Sequence, residues 1–61
     1  MEVTDSMLDA AIAEYRLALS SDPRNTDQMR NSPAWPRIMQ AMQRDAMREA
    51  LAAALANSVS A

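Results

Sequence analysis

The residues of this chain best suited to chemistry are three arginines, Arg37, Arg44 and Arg48, seven and four positions apart, with the only tryptophan, Trp35, just ahead of them. Guanidinium groups one turn apart on a helix repel slightly, and an anion held between them turns that repulsion into charge-assisted hydrogen bonds. Arg37 would open the row near a helix N-terminus, where free amides also favour negative charge. An indole beside such a row offers a platform for a stacked base. Trp35, Arg37, Arg44 and Arg48 are therefore the candidate ligand-binding residues, for a nucleotide-like or other anionic ligand. A second use is open to each. The arginines also suit ion pairs with acidic residues of a first helix or of another subunit, and Trp35 also suits closing the open end of a hairpin core.

Reagents for making or breaking bonds are scarce. The chain has no histidine and no cysteine, which removes imidazole bases, thiol nucleophiles and the common zinc sites. Asp5 with Asp9, and Asp45 with Glu49, are carboxylates one helical turn apart. Such pairs can bind a hard cation or share a proton, but they serve equally as solvated helix faces, and Asp45 can pair with Arg48 instead. No catalytic residue, metal ligand or cofactor is assigned, and a non-enzymatic protein is expected.

What must position these groups is helical. Six methionines, many alanines, five leucines, only two isoleucines and two valines, and no glycine favour helix strongly over strand. Sixty-one residues make one domain, 1–61, of a size that buries little surface on its own. Disulfide and metal staples are excluded by composition, so oligomerisation is the expected remedy. There is no apolar run of membrane-spanning length, and Glu2 and Asp5 stand where a signal peptide would be basic, so a cytoplasmic location is expected. The net charge of −2 and the short, interrupted basic row argue against duplex DNA as a partner.

The pattern predicts an all-α helical hairpin with a long crossover: a helix over about 5–20, a short turn within 26–31, and a helix over about 36–56. Thr4 is the expected cap of the first, with Val3 stapled to Leu8. Leu8, Ile12, Tyr15 and Leu19 recur at spacings of four, three and four, a line expected to face one partner helix or two. Pro23 ends this helix, and Pro36 is expected to open the next with Trp35 just outside it. Met39, Met42 and Met47 fall on a broad side with Ala46, Ala50, Ala53 and Ala54. Leu51 and Leu55 lie beside the arginine row and are too apolar for a solvated face, so a second contact surface is expected from them. These nine large residues, from Leu8 to Leu55, are the expected core and oligomer contacts.

Two stretches resemble short uncharacterised helical proteins of phages and prophages. They are Thr4-Asp5-Ser6-Met7-Leu8-Asp9-Ala10-Ala11, leading to Tyr15, and Ala46-Met47-Arg48-Glu49-Ala50-Leu51-Ala52-Ala53-Ala54-Leu55. The resemblance implies a non-enzymatic accessory protein of the host cytoplasm. It is similar in kind to oligomeric counter-defence factors that sequester a nucleotide signal or occlude a host protein. A purely structural assembly protein, whose arginines and leucines bind only other subunits, is the alternative reading.

Overall fold

The computed structural model describes residues 2–60, with side chains through Ser58. Three helices follow one another: α1 (Asp5–Ser21), α2 (Asp27–Arg30) and α3 (Trp35–Ser60). α1 and α3 pack against each other as an antiparallel hairpin, and α2 lies in the connection. Among the described residues there is no strand, and no helix is long and apolar enough to cross a membrane.

The first two starts are each fixed by a side chain. Thr4 is extended, and its Oγ1 accepts the amide of Met7 at 3.2 Å, while Thr26 does the same for Met29 at 3.2 Å. Both satisfy one of the amides that a helix start leaves without a carbonyl. α3 begins one residue earlier than the prolines imply. The Trp35 amide bonds Ser32 O at 3.0 Å, and Ala34 O receives both Arg37 N and Ile38 N at 3.1 Å. Pro36 thus sits inside the first turn, where no amide is required. Pro33 stays outside the helix.

The far ends are longer than expected. α1 closes at Ser21, and α3 continues to Ser60 instead of stopping near Ala56. No proline or glycine follows Ala56 to break it. Asn57 Nδ2 donates to Ala53 O at 3.2 Å and Ser58 Oγ to Leu55 O at 3.0 Å, so these polar side chains bond back to the preceding turn.

The helices meet through small residues. Met7, Met42, Ala46 and Ala50 are the buried residues of the described chain. Of the nine expected core positions Met42 is buried, Tyr15, Leu19 and Met39 are partly buried, and Leu8, Ile12, Met47, Leu51 and Leu55 stay exposed. The reason is a rotation of α1 by about one position. Met7, Ala11 and Ala18 turn toward the alanines of α3, which lets the backbones approach closely. The long side chains of Leu8 and Ile12 are then splayed to one flank. Met7 was absent from the expected core because its neighbour Leu8 fits the same periodicity.

The result is a molecule one helix thick. Its principal extents are 43 × 17 × 14 Å and its radius of gyration is 13.7 Å, against about 10.5 Å for a compact chain of this length.

Candidate functional site

The two flanks of the hairpin differ in chemistry. On one, the splayed side chains of both helices meet in an open apolar groove. Val3, Met7, Leu8, Ala11, Met47, Leu51, Ala54 and Leu55 line its wider part, and Ala11, Ile12, Tyr15, Met47 and Ala50 continue it toward the connection. Val3, Leu8, Ile12, Met47, Leu51 and Leu55 each keep between 49% and 62% of their surface exposed. Leu8 and Val3 line the same groove. An apolar face continuous along both helices of a hairpin is the kind of surface that another protein covers.

The opposite flank is already clasped, and there the exposed Leu17 stands among Glu14, Asp45 and Glu49. Asp22 Oδ1 accepts the Arg24 amide at 2.9 Å and Arg24 Nε at 3.0 Å, and Asp22 Oδ2 accepts Arg24 Nη2 at 2.7 Å. The same Nη2 reaches across to Asp45 Oδ2 of α3 at 2.8 Å. Asn25 Nδ2 closes the end of α1 by donating to Leu19 O at 3.0 Å. Arg30 ties the connection internally, donating to Asn25 Oδ1 at 2.6 Å and pairing with Asp27. The Arg24 guanidinium and amide hold the Asp22 carboxyl down to about 2, and the two carboxylates push Arg24 above its ordinary value. Bonds to the charged forms cause both shifts. Spacing alone also allows Asp45 to pair with Arg48; Arg24 takes that place, and Asp45 and Glu49 line the flank of the clasp.

The arginine row is present on α3 but stands apart from the tryptophan. Arg37, Arg44 and Arg48 are exposed, and none forms an ion pair within the described residues. Pairing with acids of α1 in the same chain is thereby corrected: the row points outward, past the groove. Arg37 and Arg44, with Gln40, Ala41 and Asp45, line a shallow concavity, and Arg48 lies one turn further on. Trp35 does not head this row. It belongs to the first turn of α3, and at 100° per residue it points about 160° away from Arg37, toward the side of Met42 and Ala46. Trp35 is partly buried, on the core side of the helix.

Two parts of this arrangement escaped the sequence. The Arg24 clasp has a local cue in Asp22-Pro23-Arg24, since an aspartate before proline favours a turn in which its carboxylate takes the amide two residues on. The bond to Asp45 has no cue, because it depends on how the helices pack. No family model matches the chain, and no curated protein and no solved structure matches it either.

Proposed function

We propose that this chain is a non-enzymatic assembly protein whose working form is a homo-oligomer joined through the open apolar groove. The supporting observation is the unpartnered strip of Leu8, Ile12, Met47, Leu51 and Leu55, all about half exposed. Its scale fits the proposal. The chain exposes 4690 Å², whereas a compact monomer of 6.7 kDa exposes about 3,900 Å². The surplus of about 800 Å² is what one partner contributes to a standard-sized interface. Sedimentation equilibrium tests it: a mass above that of one chain at micromolar concentration is expected, and a single-chain mass up to the highest soluble concentration overturns it.

A second reading is favoured by the arginines that lack an acid partner. Arg37 and Arg44 border a shallow concavity and would hold a phosphate or carboxylate there, so that the assembly sequesters an anionic ligand in the manner of a phage-type accessory protein. The separation of Trp35 from the row removes base stacking from that site and leaves charge alone to bind. A thermal-shift panel of cyclic and linear nucleotides beside inorganic phosphate tests it. Stabilisation that disappears in Arg37→Ala/Arg44→Ala is expected, and no stabilisation by any anion overturns it.

A further inference from the structure

The groove has two charged borders, and they are of opposite sign. On α1 (Asp5–Ser21) the edge beyond Leu8 and Ile12 carries Asp5, Asp9 and Arg16 at 100° per residue, a net acidic border. On α3 the edge beyond Met47 and Leu51 carries Arg37, Arg44 and Arg48; Asp45, which borders the same concavity as Arg37 and Arg44, is taken up by Arg24. The lining residues fix the levels along the hairpin, because Leu8 shares a groove with Leu51 and Ile12 shares one with Met47. Asp9 and Arg48 therefore stand at nearly the same height, on opposite outer edges.

We infer that the occupant of the groove is a second copy of this chain, related by a two-fold axis parallel to the helices, so that α1 of each copy lies beside α3 of the other. This rests on the assembly reading above and deepens it. A rotation about that axis keeps each residue at its level and exchanges left for right. The Asp9 edge of one copy meets the Arg48 edge of the other, and by symmetry this happens twice. The only other closed face-to-face arrangement of two hairpins has its axis across the helices and stacks α3 on α3. It brings the two arginine rows together and sets the acidic edge against itself with Arg16 as its sole relief. The chosen arrangement has one like-charge meeting, Arg16 with Arg44, within an otherwise opposite-signed border. Its product is a four-helix bundle in which every neighbouring pair is antiparallel. The groove side chains of both copies form its centre, and the Arg24 clasps face outward.

Charge exchange across the border tests the arrangement. Sedimentation equilibrium at low salt is run on the full chain and on Asp9→Arg, Arg48→Glu and the double variant. The expected result is a dimer weakened about five- to thirty-fold by either single change, since each border pair is altered twice per dimer, with most of the loss recovered in the double variant. Circular dichroism of the singles at high concentration separates weakened pairing from a failure to fold. If Arg48→Glu and Asp9→Arg each tighten the dimer, by relieving a like-charged border, the α3-on-α3 arrangement is the true one and the inference is overturned, while the assembly reading stands. If neither change moves the dissociation constant, the borders do not meet and the inference is likewise overturned. A chain that is a monomer at every concentration removes the assembly reading itself.

Discussion

Leucine 51 separates a free hairpin from an assembled one by a change that leaves the helix itself intact. In the hairpin Leu51 keeps 58% of its surface exposed, so contact with α1 accounts for less than half of its burial. Fully burying a leucine contributes about 1.5–3 kcal/mol. The part left for a partner is about 1–2 kcal/mol per chain, or about 2–4 kcal/mol for two chains in a dimer. Alanine is the best helix former, so Leu51→Ala costs α3 nothing in propensity. In an isolated hairpin it should cost about 0.5–1.3 kcal/mol, the part of the burial that α1 already supplies. In a dimer closed over the groove it should raise the dissociation constant about thirty- to several-hundred-fold. Sedimentation equilibrium over a concentration series reports this directly, and urea unfolding followed by circular dichroism at two protein concentrations reports it independently. The wild-type midpoint should rise with concentration and the variant's should rise from a lower start. An unchanged mass and an unchanged midpoint in Leu51→Ala would refute the reasoning, because they would mean that water covers Leu51 in the working protein.

Met42→Ala should cost about 2–5 kcal/mol in urea unfolding, since Met42 is 1% exposed and its removal leaves a cavity between helices that have few other large contacts. This loss belongs to the hairpin and should not depend on protein concentration. Asp22 gives a pH signature. Its carboxyl is lowered from 3.8 to about 2 by Arg24, so the stability it contributes is complete above about pH 4 and is lost as the pH falls toward 2. The melting temperature of Asp22→Asn should therefore fall less between pH 4 and pH 2 than that of the wild type, and an equal fall in both would show that the clasp is not formed in solution.

What could be read from the sequence was mostly local. Thr4 and Thr26 announce their helices because a cap bonds an amide three residues away, within reach whatever the rest of the chain does. Pro23 ends α1 for the same kind of reason. The face that α1 turns to α3 was harder, because Met7 and Leu8 both satisfy the apolar period. The choice between them is made by the alanines at positions 46 and 50, which reward close approach over bulk. The arginine row could be read as a row, since spacing on one helix needs no partner. Its relation to Trp35 could not, because one residue's difference in where α3 starts brings the indole into the helix and swings it to the core side. The bond from Arg24 to Asp45 joins residues 21 apart and exists only once the hairpin has closed.

That bond also sets an order of events. Closing a loop costs more entropy the longer it is, by about 0.6 kcal/mol for each doubling. The contact between Arg24 and Asp45 closes a far shorter loop than the meeting of Val3 with Leu55 at the other end of the groove. Ion pair and turn lie together at the bend, so the helices should zip from the clasp outward. The end holding Val3 and Leu55 is then the last to form and the first to open. A newly made chain would present its clasped half as a finished surface before its open half, and under the proposed pairing the encounter between two copies would be part of how each one finishes folding.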